Sequence, residues 1–101
     1  KVDVNGIDHI TVVGMDNISR INGNFQYVID NPLPVPSVFD WLQQRGDVEA
    51  SEMYRTFNMG MGMIIVVDKN DAEKSVSLLG EYAQIVGSVK SGKGVLHTAI
   101  D

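Results

Sequence analysis

Two groups of residues in this chain carry side chains suited to chemistry. The first is His9 and Thr11. Their spacing puts both on one face of an extended segment, since successive side chains of a strand point to opposite sides. An imidazole there can donate to phosphate or move a proton near neutral pH. The bland alternative is a partly exposed strand face with no role. The second group is Arg55, Thr56 and Asn58. Arginine offers a permanently charged, forked donor for phosphate or carboxylate, and asparagine at a strand mouth can read an amide or amidine. The alternative here is structural: Arg55 pairs with Glu52 or Glu49, and Asn58 caps a turn. Both readings can hold together, because a site needs rigid support. Gly60 and Gly62 follow at once and leave part of the backbone bare, so that a ligand or a packed helix can approach it. The other histidine, His97, has no partner motif near it and reads as a residue without a role.

These groups need elements to position them. Ile7 to Val12 alternates, with Asp8, Ile10 and Val12 facing one way, and reads as a strand that Gly14 ends. Asp16 or Asn17 is placed to cap a short helix carrying Ile18 and Ile21. Asn22-Gly23-Asn24 is a turn signal, and Phe25 to Asp30 alternates as a second strand. Three prolines (Pro32, Pro34 and Pro36) make an extended loop that cannot be a central strand. Val38, Trp41, Leu42 and Arg45 recur at helical spacing, with Gly46 as a stop. Asp47 to Phe57 contains a second helical stretch, in which Met53 and Phe57 share a face. Met59, Met61, Met63, Ile65 and Val67 then alternate as one face of a strand beginning near Asn58. After the turn at 68–71, Asn70 and Glu73 resemble a capping box. Ala72, Val76, Leu79 and Ala83 form the apolar stripe of a helix. Gln84 to Lys90 reads as a strand, Ser91-Gly92-Lys93-Gly94 as a hairpin turn, and Val95 to Ile100 as the last strand. The order is β-α-β-α-α-β-α-β-β, an α/β (α+β) arrangement whose mixed, partly antiparallel sheet is covered by helices.

The composition limits what such an arrangement does. A chain of 101 residues is one domain, and a net charge of −5 with ordinary apolar content describes a folded chain. No basic stripe is present for nucleic acid. There is no cysteine, which excludes disulfides and thiolate chemistry. Two distant histidines give no metal-ligand spacing, and Asp68 and Asp71 lie in a turn without the calcium-loop pattern. No apolar run reaches the ~20 residues of a membrane span, and no secretory leader is visible. The first residue is not Met, so the chain reads as a piece of something longer or as a processed form. Gly60 and Gly62 open a strand and make no dinucleotide fingerprint. Nor is Ser91-Gly92-Lys93-Gly94 a P-loop.

One run is more specific than any of these patterns. Glu52-Met53-Tyr54-Arg55-Thr56-Phe57-Asn58-Met59-Gly60-Met61-Gly62-Met63 resembles the signature of the C-terminal domain of aminoimidazole ribonucleotide synthetases, the phosphoribosylformylglycinamidine cyclo-ligases of purine biosynthesis. His9-Ile10-Thr11 resembles the family's HIT, Val38 to Gln43 its F-x-W-L helix, and Gly46-Asp47-Val48-Glu49 its G-x-V-E link. The likeness runs over about positions 5 to 95.

The resemblance implies an α/β sandwich partly like the ferredoxin fold, in a cytoplasmic enzyme that is a homodimer. That enzyme closes formylglycinamidine ribonucleotide to aminoimidazole ribonucleotide with ATP and Mg²⁺. Both are bound mainly by an N-terminal domain that these 101 residues do not include. Carried over residue by residue, it implies His9 as a catalytic residue. Thr11, Gly14, Arg55, Thr56, Asn58 and Gly60 become substrate-binding residues, and no residue here is a metal ligand. The chain departs from the family at Val12-Val13, where glycines are expected. Two valines restrict the backbone and narrow any approach to it. The departure motivates a different reading, a freestanding module that binds a small ligand or dimerises without catalysis. Other enzymes of the same ATP-using superfamily, such as selenophosphate synthetase, the hydrogenase-maturation dehydratase or thiamine monophosphate kinase, are a further alternative.

Overall fold

A computed structural model describes residues 2–11 and 14–100; Val12 and Val13, with their departure from the glycine pattern, lie outside the described residues. The elements follow the expected order. They are β1 (Val4–His9), a 3-10 helix (Gly14–Arg20), β2 (Phe25–Ile29), α1 (Ser37–Gly46), α2 (Ala50–Thr56), β3 (Met63–Val67), a short 3-10 turn (Lys69–Asp71), α3 (Ala72–Leu79), β4 (Gly87–Ser91) and β5 (Gly94–His97). The fold is α+β, with the strands divided between two sheets. β1 pairs antiparallel with β3, and β2 lies between β4, antiparallel, and β5, parallel.

The core lies where the two sheets meet the first 3-10 helix. Ile10, Met15, Ile18, Tyr27, Ile29 and Met61 form one buried cluster, flanked by Ile64 and Val66 from β3 and Val95 from β5. Ile10 points inward as its alternation requires, whereas Ile7 and His9 are exposed on the outer face. The 3-10 helix is the hub, touching β1, β2, β5 and α2. α1 and α3 bury no residue fully.

Four local expectations are corrected. The hairpin at 91–94 is not one: β4 and β5 never pair, because β2 occupies the place between them, and the chain passes around the start of β2 with Gly92 and Gly94 at φ 138° and 79°. The methionine strand begins only at Met63. Before it, Asn58 to Met61 is a turn, with Met59 and Gly60 at φ 53° and 98° and the Met61 N–H donating to the Asn58 carbonyl at 3.1 Å. Positive φ at both central residues is the mark of a type I′ turn. The turn breaks the alternation, so Met59 and Met61 are buried and Met63 is 57 % exposed. The Asn70–Glu73 capping box is absent; α3 starts after Asp71 without a side-chain cap. Leu79, placed on that helix's buried stripe, is exposed.

Candidate functional site

The loop after β1 and the last turn of α2 are brought together by one residue without a side chain. Gly14 is buried at φ +61°, and a Cβ there would lie 2.8 Å from the Arg55 carbonyl carbon and 2.9 Å from the Phe57 carbonyl oxygen. No L-residue fits that approach without a shift, and its φ is strained for any side chain. The Gly14 N–H donates to the Thr11 carbonyl at 3.0 Å, which ties Thr11 to the same junction. Asn17, read from sequence as a helix cap, is instead buried beneath it and donates through Nδ2 to Thr11 Oγ1 at 3.4 Å. A buried amide needs a partner; here that need holds the threonine. Only the polar residue type at a helix start hinted at Asn17, and it suggested the wrong job.

On the α2 side the two readings divide residue by residue. Asn58 does cap the turn: its Oδ1 accepts the Gly60 N–H at 2.9 Å. Thr56 Oγ1 donates to Glu52 Oε1 at 3.4 Å. Arg55 has no ion pair with Glu49 or Glu52; it is exposed and lines a cleft of about 160 Å³ with Asp16, Tyr54 and His97. Gly60's bare backbone is approached by the chain itself. A Cβ there would lie 2.6 Å from Pro36 Cδ and 2.9 Å from the Pro34 carbonyl, so the proline loop is the neighbour for which the side chain is missing.

His97 is the residue that sequence reasoning passed over. It is 1 % exposed at the end of β5, with its ring 4.5 Å from that of Tyr54. Its Nδ1 accepts the Ala99 N–H at 3.1 Å, which in a neutral ring leaves the proton on Nε2. Tyr54 also lines a second cleft of about 280 Å³, with Asp40, Gln43 and Met59. It therefore stands between the two hollows. His9 lines neither; it sits on the exposed face of the β1–β3 pair, opposite Met63. Beside it, Asp8 turns inward with Oδ2 buried and without a hydrogen bond. Burial raises its pKa above the ordinary 3.8, against the opposing pull of Arg20 and His9. Among the described residues, no three His, Cys, Asp or Glu side chains gather. No helix among the described residues is long and apolar enough to cross a membrane.

The sequence matches the family described as "AIR synthase related protein, C-terminal domain" over residues 1–98. The chain belongs to that family. Relatives named phosphoribosylformylglycinamidine cyclo-ligase agree. That of Methanopyrus kandleri is 43 % identical over 96 residues, covering 93 % of this chain and 28 % of the relative. That of Caldanaerobacter subterraneus is 39 % identical over 97 residues, covering 90 % and 29 %. That of Coxiella burnetii is 41 % identical over 97 residues, covering 90 % and 28 %. The chain thus spans less than a third of the length of the cyclo-ligases it matches. The Gly14 junction joins two segments that carried the family resemblance, the one after His9-Ile10-Thr11 and the one at Tyr54 to Asn58.

Proposed function

We propose that this chain is the C-terminal, substrate-cleft part of a phosphoribosylformylglycinamidine cyclo-ligase. The net reaction is ring closure of formylglycinamidine ribonucleotide to aminoimidazole ribonucleotide, with ATP converted to ADP and phosphate. The observation that carries this reading is the Gly14 contact, which joins the Thr11 loop to the backbone of residues 54–57 within a family match over nearly the whole chain. Arg55 supplies a forked charge at the cleft, without an ion pair among the described residues and suited to the substrate's phosphate. Thr11, Gly14, Thr56, Asn58 and Gly60 supply and brace the polar wall. His9, on the open face, serves as proton donor or acceptor toward substrate held between this domain and the N-terminal domain of the enzyme. ATP and Mg²⁺ belong mainly to that N-terminal domain, and the whole enzyme works as a cytoplasmic homodimer.

Two measurements on the 101-residue chain test the reading. Titration with formylglycinamidine ribonucleotide, followed by amide chemical shifts, is expected to move Thr11, Gly14, Arg55 and Asn58 together; shifts confined to residues other than these and His9, Thr56 and Gly60, or none at saturating ligand, overturn it. Incubation with substrate, ATP and Mg²⁺ is expected to release no ADP, because the chain brings no nucleotide-binding motif of its own. Turnover by the chain alone would refute that division of labour.

A further inference from the structure

The turn that leads into β2 holds an asparagine followed by a glycine. Asn22 and Gly23 stand exposed at its tip, outside both clefts. We propose that Asn22 is a site of spontaneous modification, activated by the fold, at which the side-chain amide is lost through a succinimide. The backbone nitrogen of Gly23 gives up its proton to solvent base and forms a bond to Asn22 Cγ. The Cγ–Nδ2 bond breaks, and the nitrogen leaves with a proton as ammonia. Water then opens the ring at either carbonyl and leaves aspartate or isoaspartate. No electron transfer is involved, and water is the co-reactant.

Three features of the turn favour this closure. The Asn24 N–H donates to Asn22 Oδ1 at 2.9 Å, which draws electron density from Cγ and makes it a better electrophile. The Tyr27 hydroxyl donates to the Asn22 main-chain carbonyl at 3.0 Å, and the Phe25 N–H reaches the same oxygen at 3.4 Å. That carbonyl and the Gly23 N–H belong to one conjugated peptide unit, so the bonds make the N–H more acidic and its nitrogen easier to deprotonate. Tyr27 is 3 % exposed, so its hydroxyl is held in place by the core. The ring also has room to form: nothing lies within 4 Å of where a Gly23 Cβ would stand, and the Gly23 N–H makes no backbone bond among the described residues.

The chain contains its own comparison, since Asn5-Gly6 is the same dipeptide. There the backbone is extended within β1, and Gly6 pairs with Val66. Asn5 Nδ2, the nitrogen that would leave, is tied to Asp68 Oδ1 at 2.9 Å. Ile21 fills the space beside Gly6. The structure therefore separates two sites that are alike in sequence. Reaction at Asn22 adds a negative charge, and the isoaspartate form lengthens the backbone at the entry to the central strand of the three-stranded sheet.

Ageing the folded chain at mildly alkaline pH, followed by tryptic mass mapping, tests this. Arg20 divides the two sites between the peptides 2–20 and 21–45. The amide-to-acid mass shift is expected at Asn22 at least about tenfold faster than at Asn5, a barrier difference of ~1.4 kcal/mol. In urea the two rates are expected to converge. Tyr27→Phe is expected to slow Asn22 severalfold and leave Asn5 unchanged. Gly23→Ala, whose Cβ enters open space, should suppress the shift in a normally folded chain. Equal rates in the folded chain, a preference for Asn22 that persists in urea, or a faster Asn22 in folded Tyr27→Phe would each overturn the proposal.

Discussion

Replacing Gly14 by alanine should be costly out of proportion to one methyl group. The residue is at φ +61°, where a non-glycine residue costs about 1–2 kcal/mol. The new Cβ also meets main-chain atoms of Tyr54, Arg55 and Phe57, which cannot rotate aside as a flexible side chain would. Overpacking of this kind typically costs about 1–3 kcal/mol. Together the loss is about 2–5 kcal/mol, out of roughly 5–15 kcal/mol expected for a domain of this size. Gly62→Ala is the control. Nothing lies within 4 Å of its added Cβ and its φ is unremarkable, so alanine should be neutral or stabilise by ~0.4–1 kcal/mol. Urea unfolding followed by circular dichroism measures both. With a slope of ~1–2 kcal/mol per molar urea, the Gly14→Ala midpoint should fall by at least ~1 M. A Gly14→Ala chain within ~0.5 kcal/mol of the parent, or one no worse than Gly62→Ala, would refute the close approach and with it the junction on which the site is built.

Other outcomes follow from the same geometry. Met61→Ala, at a site 2 % exposed, should lose ~2–5 kcal/mol, while Met63→Ala, 57 % exposed, should stay within ~0.5 kcal/mol; equal losses by urea unfolding would deny the break in alternation. Asp8 has a folded pKa above its unfolded one, so the folded state holds the extra proton and stability declines as pH rises from 3.8 through the raised value. Asp8→Asn should therefore be more stable than the parent at neutral pH, with the gap closing as pH falls toward 3.8; thermal melts across that range check the sign. Arg55→Ala should leave the melting temperature unchanged, since Arg55 is exposed and has no ion pair among the described residues. It should weaken formylglycinamidine ribonucleotide binding roughly tenfold or more in the amide-shift titration, and unchanged affinity would remove Arg55 from the proposed cleft.

What the sequence determined by itself was local in origin. Alternation marked β1, β2 and β3, proline and glycine marked the breaks, and the order of elements followed from these, because side-chain periodicity is written into consecutive residues. The dodecamer from Glu52 to Met63 marked the family. What only the tertiary structure decided was which strands pair and which polar groups are buried. β4 and β5 are adjacent in sequence and look like a hairpin, yet β2, some sixty residues earlier, takes the place between them. No local pattern encodes that choice, since it turns on which long-range pairings bury the most apolar surface. His97 and Asn17 show the same limit at the site. Each has an unremarkable sequence context, and each became part of the junction only when Tyr54 and Thr11 were folded against it.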